Sequence, residues 1–459
     1  MKRRAYAIAI FVSVAILISV IINISLLYPF LLGIAFSLLL LSRDGLSVRA
    51  LLAMAWAGVV ECRELYLFIL LIGANISVWM ASGVVPAVMF YGFEYLEGMN
   101  FLFMAFLFTA VLSIFMGTAV GTISTLGIAL LGIGRGFGIP LALLMGALVS
   151  GAYVADKISP ISGLLNLTMK VTGSRYRQLL RTMAVTLVPV LVVSAVIYYL
   201  LGTRYSAAGD LELIATYQQG IEAGFNLNPL LLLFPLAIVA LPMLGLRTLT
   251  TVIVGLAGGT VLALIYQGVV FSGLLSELIF GFRGADLIPE LSAILQSGGV
   301  VGMVEVLFIV IAVIALGGIL ERSGALKPLI YEPIANVEHR GELIYKTGLI
   351  GSLLTVVTCD QSSGIVLPGR LYREKYRQLG LDGTILARTI SDTNTIIAPL
   401  MPWNVNGIII FTITGISALE YAPYAVLCYL FPLITVLVGF RLDSRLELPG
   451  SSNTPIRET

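Results

Sequence analysis

Charge is what this sequence lacks most. Lys, Arg, Asp and Glu make up 11% of its 459 residues, less than half of the roughly one quarter usual in soluble domains. That shortage excludes an ordinary soluble enzyme. Histidine occurs once, as His339, so neither a His-based metal site nor a His-dependent triad can be assembled. Cys62, Cys359 and Cys428 lie far apart without metal-ligand spacing, which speaks against a disulfide framework and a zinc site. No glycine-rich phosphate loop is present, which disfavours an ATP-driven pump. No nucleophile–base pair stands out, so the chain reads as no enzyme and without a cofactor. A channel would call for rings of like residues, and nothing cues them. The net charge is only +2, with Lys and Arg confined to certain loops, and nothing suggests nucleic acid.

What is there is hydrocarbon. Hydrophobic residues make up 58% of the chain and the mean hydropathy is +1.01. A helix rises about 1.5 Å per residue, so each crossing of a roughly 30 Å core takes about 20 residues. The chain therefore has room for about 10 to 12 transmembrane helices. It reads as an all-α polytopic membrane protein embedded in a lipid bilayer.

Taken in order, Lys2, Arg3 and Arg4 precede an apolar run too long for a signal peptide, and a second run follows Pro29. Residues 1–45 are expected to form a transmembrane hairpin with a cytoplasmic N-terminus. Arg49, Trp56 and Glu61 among Leu and Ala suggest an interfacial helix over 46–62. The loop holding Lys170, Arg175, Arg177 and Arg181 has no acid and is expected on the cytoplasmic side. The segment with Asp210, Glu212 and Glu222 is expected as an outside loop. Residues 46–201 and 321–440 form the two expected repeats, 202–320 the scaffold helices between them, and 441–459 a polar tail expected to be disordered. The setting is the cell membrane, crossed many times.

The stretch from Thr355 to Asn406 stands apart. It sets Asp360 and Asp392 among Ser, Thr, Asn and Gln, and breaks the apolar pattern with Gly364, Pro368, Pro399 and Pro402. An ionisable side chain inside hydrocarbon is expensive, so it marks an ion or substrate path by default. Interrupted helices build midplane sites in secondary transporters. A similar arrangement occurs about 240 residues earlier: hydroxyls and glycines at 117–125, then Asp156, Pro160 and Asn166. Two inverted repeats with broken helices and re-entrant hairpins are expected, with breaks near 117–125, 155–166, 358–366 and 392–404.

The motifs Thr358-Cys359-Asp360-Gln361, Ile365-Val366-Leu367-Pro368-Gly369-Arg370, Leu386-Ala387-Arg388-Thr389 and Pro399-Leu400-Met401-Pro402-Trp403-Asn404 resemble the NhaC family of sodium/proton antiporters. In the first half the same holds for Gly117-Thr118, Gly121-Thr122, Gly138-Ile139-Pro140-Leu141 and Val149-Ser150-Gly151-Ala152-Tyr153, leading into Asp156-Lys157-Ile158-Ser159-Pro160. The resemblance covers most of 30–440 and implies a sodium/proton antiporter. It leaves room for a sodium- or proton-coupled exchanger of organic anions, such as malate or lactate, or of amino acids. One departure stands out. After Asp-Lys-x-Ser-Pro the family typically continues Leu-Ser-Asp-Thr-Thr-Asn, whereas this chain has Ile161-Ser162-Gly163-Leu164-Leu165-Asn166. The family's usual Gly before each Asp pair is here Ala155 and Cys359.

Sodium is a hard cation satisfied by carboxylate, hydroxyl, amide and backbone oxygens, and broken helices expose the last of these. Asp360, Asp392 and Asp156 are the candidate cation- or proton-binding groups, although Asp360 and Asp392 also suit helix caps and Asp156 could pair with Lys157. Supporting oxygens are expected from Thr118, Thr122, Ser159, Asn166, Thr358, Gln361, Ser362, Thr393, Asn394 and Asn404. Lys157 could instead offer its charge to an anion. Glu305, inside an apolar run, is a second-tier candidate or a surface group. His339, Trp403 and the Arg370–Arg377 charge run read as peripheral. The expected partners are Na+ and H+ as cargo, with no resident metal, while an organic anion and a homodimer stay open.

Overall fold

The computed structural model describes residues 2–205, 211–284, 287–292 and 294–444. Asp210 and the tail beyond Ser444 lie outside the described residues. Helices dominate, and among the described residues there is no strand. Six helices are long and apolar enough to cross a membrane, or up to nine if each bent pair is one span. Shorter apolar helices of 10–17 residues stand beside them, including Leu27–Ser42 and Phe101–Met116. The count by length falls below a dozen because the breaks divide runs that the sequence reads as continuous.

The N-terminal hairpin pairs Lys2–Ile21 with Leu27–Ser42, and an Arg4–Asp44 ion pair closes its open end. The expected interfacial segment is the helix Val48–Glu61, capped by Ser47. It crosses Val304–Arg322 where two glycines let the backbones touch. A Cβ on Gly318 would stand 2.9 Å from the Met54 carbonyl oxygen, and one on Gly58 3.2 Å from that of Ile314. Arg322 meets Glu61 at the same crossing. Residues 211–224, expected as loop, instead form the helix Leu211–Gly224, bent by 100° from the next helix. Its acids face outward while Ile214, Tyr217 and Ile221 are buried at helical spacing, the stripe of a surface helix.

The breaks fall where hydroxyls, glycines and prolines interrupt the apolar pattern. Phe101–Met116 ends on Gly117 at φ 69°, and Thr118 caps the helix that follows. Arg340–Thr358 ends on Cys359 at φ 57°, and Asp360 caps the next. Helix starts at 141 and 383, starts at 163 and 405, and left-handed glycine ends at 173 and 415 each lie 242 residues apart, as do the ends at 116 and 358. Each half also contains one π-helical turn, Ile123–Gly127 and Ser391–Thr395.

Packing follows the same duplication, with an exchange. Gly163–Thr172 of the first half packs on Gln361–Leu371 of the second, while Val405–Thr414 of the second packs on Ala119–Thr122 and Ile123–Gly127 of the first. The long Tyr176–Gly202 and Val426–Ser444 lean on each other, and each carries one internal proline, Pro189 and Pro432. The broken segments meet in the space enclosed by these pairs.

Candidate functional site

The first group of candidate side chains comes from the short helix Ala155–Ile158, which packs directly on the π turn Ser391–Thr395. Lys157 is fully buried there and forms an ion pair with Asp392, also fully buried. The second carboxylate oxygen of Asp392 accepts from Thr186 Oγ1 at 2.9 Å and Thr435 Oγ1 at 2.5 Å. The Lys157 ammonium also stands 4.4 Å from the centre of the Phe431 ring, a cation–π contact strengthened by dehydration. Asp392 is thus the counter-charge of Lys157, an arrangement that leaves Asp156 without its sequence neighbour as partner. Thr186, Thr435 and Phe431 sit in long apolar helices, and no local signal in the sequence distinguishes them.

Asp156 is 6% exposed, and its Oδ1 accepts from Ser162 Oγ at 3.0 Å across the break at 159–162. It lines a cavity of about 330 Å³ with Gly117, Thr118, Gly163, Asn406 and Glu64. Thr118 caps its helix, so the N-terminal amide end of Ala119–Thr122 borders the cavity. Helix starts and oriented N–H groups shape such places electrostatically. Asn406 reaches the same cavity from the second half, and its Nδ2 donates to Gln361 Oε1 at 2.9 Å. Gln361 Nε2 in turn donates to the Thr395 carbonyl at 2.6 Å, tying the 359–360 break to the π turn.

The remaining expected residues hold the backbone in shape. Thr122 donates to the Thr118 carbonyl at 2.8 Å and Ser159 to that of Ile114 at 2.6 Å. Asn166 is exposed, and its amide bridges the Pro160 and Ser162 carbonyls, fastening the break from outside. Thr358 donates to the carbonyls of Leu354 and Asp360. Asp360 Oδ2 accepts from the Ser362 N–H at 2.9 Å, so Asp360 is a helix cap. It is half-buried. Thr393 and Asn394 are bonded to each other, and Asn394 donates to the Gly364 carbonyl at 2.6 Å. Asn404 caps Val405–Thr414. The geometry therefore gathers Asp156, Lys157, Asp392 and Thr118 near one junction and sets Asp360 on its flank as a cap.

Peripheral readings find equally plain places. Glu305 accepts from Ser25 Oγ at 2.6 Å at an exposed helix start. His339 is exposed before Arg340–Thr358, and Trp403 Nε1 donates to the Val356 carbonyl at 3.3 Å. Arg377 pairs with Glu374 on the surface. Among the described residues, no group of His, Cys, Asp and Glu could hold a metal ion.

Broken apolar helices with buried charges at their junctions define a polytopic membrane protein of the transporter kind. The profile of the Na+/H+ antiporter family matches residues 151–441. The chain belongs to that family. It is 31% identical to the Na(+)/H(+) antiporter NhaC of Alkalihalophilus pseudofirmus, over 82% of this chain and 81% of the relative. A Malate-2H(+)/Na(+)-lactate antiporter of Bacillus subtilis is 27% identical over 88% and 86%. The arginine/ornithine antiporter ArcD of Halobacterium salinarum is 32% identical over 80% and 76%.

Proposed function

We propose that the protein is a secondary sodium/proton antiporter in which Asp156 takes a sodium ion or a proton in turn, with Asp392 and Lys157 as the switchable pair beside it. The observation that carries this reading is the cavity lined together by the buried carboxylate of Asp156, by Thr118 of the first half and by Asn406 of the second. A carboxylate placed there has oxygen donors from a hydroxyl, an amide and a helix break, the set a hard cation needs. Asp392 is held by an ammonium and two hydroxyls. A cation reaching it must displace Lys157, so entry of one positive charge is linked to withdrawal of another. Asp360 and the hydroxyls of the second break form the flank of the same path.

The family and the NhaC relatives support sodium and proton as cargo. We place the protein in the plasma membrane with a cytoplasmic N-terminus beside Arg3 and Arg4 and with inverted halves near 46–201 and 321–440. The test is reconstitution into proteoliposomes carrying a pH gradient. Added Na+ should dissipate the gradient, and Asp156→Asn should fall to the rate of empty liposomes. Equal dissipation by K+, or an unimpaired Asp156→Asn, would overturn the reading.

A further inference from the structure

A second cavity, of about 420 Å³, lies apart from the one at Asp156. Three helices border both. In Arg63–Ala81, Glu64, Leu65 and Phe68 line the Asp156 cavity, while Gly73 and Ile76 line the second. In the continuous helix from Ala119 to Gly136 the division falls between Val120 and Ile128. In Val405–Thr414 it falls between Asn406 and Thr412. Each helix therefore runs, from its N- to its C-terminal end, out of the Asp156 cavity and toward the second.

On each helix five to eight residues separate the two levels, roughly 7 to 12 Å of helical rise. Ile69, Ile72, Ile123, Leu126, Ile409 and Ile410 fall in that interval, and all six are buried. The π turn Ile123–Gly127 lies at the same level and packs on both of the other helices. Turns of this kind recur at functional places in helices. A dry apolar layer stops an ion until it opens and wets. The two ends also differ in charge. Glu64 and Asp156 are acids at one, whereas Arg135 is the one charged side chain among the described residues that line the other. The C-terminal carbonyl end of Val405–Thr414 borders that second cavity through Thr412, Thr414 and Gly415, and the negative end of a helix dipole suits a cation.

We propose that the second cavity is the opposite mouth of the ion route, and that the apolar layer around the π turn Ile123–Gly127 is the plug between it and Asp156. The proposal rests on the Asp156 cavity as the ion site and adds to it the far opening and the gate.

The test is thiol labelling from one side at a time. Gly163→Cys and Thr412→Cys are made separately in the full chain, one in each cavity. A membrane-impermeant maleimide is applied to right-side-out and to inverted vesicles. Peptide mass spectrometry identifies the labelled residue, with Cys62, Cys359 and Cys428 left in place. Gly163→Cys should label about tenfold faster or more from one side, and Thr412→Cys from the other. Labelling of both from the same side, or a Thr412→Cys reached from neither, would overturn the proposal. Sidedness is read without transport, so it decides the two mouths even where the sodium reading fails. A bulky maleimide on Thr412→Cys should also slow sodium-driven dissipation of the pH gradient about tenfold. The same adduct on Leu419→Cys, exposed outside the cavity, should change it less than about twofold. Exchange unimpeded by the adduct at 412 would remove the cavity from the route. Ile123→Ser combined with Ile409→Ser makes the layer polar and should let the reagent reach Gly163→Cys from both sides. Sidedness as strict as before would refute the plug.

Discussion

Lys157 and Asp392 meet where neither reaches solvent, so each depends on the other to remain charged. Removing one partner of a buried pair costs about 3–5 kcal/mol, whereas replacing both by apolar groups of similar volume is often near neutral. Lys157→Met or Asp392→Leu alone should therefore lower the thermal midpoint strongly in detergent. The double variant should recover most of that loss while failing to transport, which separates a role in exchange from a role in folding. Gly163 tells a complementary story. A Cβ there would meet nothing within 4 Å, and the residue lines the Asp156 cavity in the first turn of its helix. Gly163→Asp should fold normally, since an acid suits a helix N-terminus, and should lower the sodium concentration needed for half-maximal exchange. An unchanged sodium dependence would mean that the cavity is not on the ion's route. At this scale the sequence reveals the acids, because charge in hydrocarbon is conspicuous. It hides their partners: Thr186 and Thr435 are ordinary residues of apolar helices, and only tertiary packing brings them to Asp392. Asp360 also caps a helix, and sequence position alone does not say which way a carboxylate is used.

The breaks decide where those residues go. Cys359 adopts φ 57°, a left-handed conformation that costs a non-glycine residue about 1–2 kcal/mol. Cys359→Gly relieves this cost but loses a buried side chain, so its stability should stay within about 1 kcal/mol of the parent's. Cys359→Val should lose more than about 1 kcal/mol, because β-branching makes the left-handed region harder still to occupy. Denaturant or thermal unfolding of both variants checks the order, and a valine variant as stable as the glycine one would refute it. Breaks of this type were legible, because Gly117-Thr118, Cys359-Asp360 and the prolines interrupt long apolar runs. The π turns were not legible as such, since an extra residue per turn leaves no compositional mark. The helix Leu211–Gly224 escaped for the opposite reason. Its acids mask, in sequence, the helical spacing of the buried Ile214, Tyr217 and Ile221.

Across the whole molecule, the two halves are joined by exchange: Gly163–Thr172 packs on the second half and Val405–Thr414 on the first. Each lends the other a piece of its interior. A chain cut between residues 205 and 211 should therefore be unstable as either fragment alone and should recover transport when both are coexpressed. A first fragment that melts at the parent's temperature would show that the exchange contributes little. The 242-residue spacing has a faint echo of Gly, Ser, Thr and Asp in the sequence, whereas the exchange has none, because contacts between distant segments leave no local pattern. The consequence reaches back to synthesis. Gly163–Thr172 emerges from the ribosome 242 residues ahead of its structural counterpart, Val405–Thr414. At about 5–20 residues per second, it waits between about 10 and 50 s before the exchange can be completed. During that interval Lys157 has been made and Asp392 has not. The newborn chain must shelter an unneutralised ammonium in water, at the lipid surface or against the insertion machinery until its counter-charge arrives.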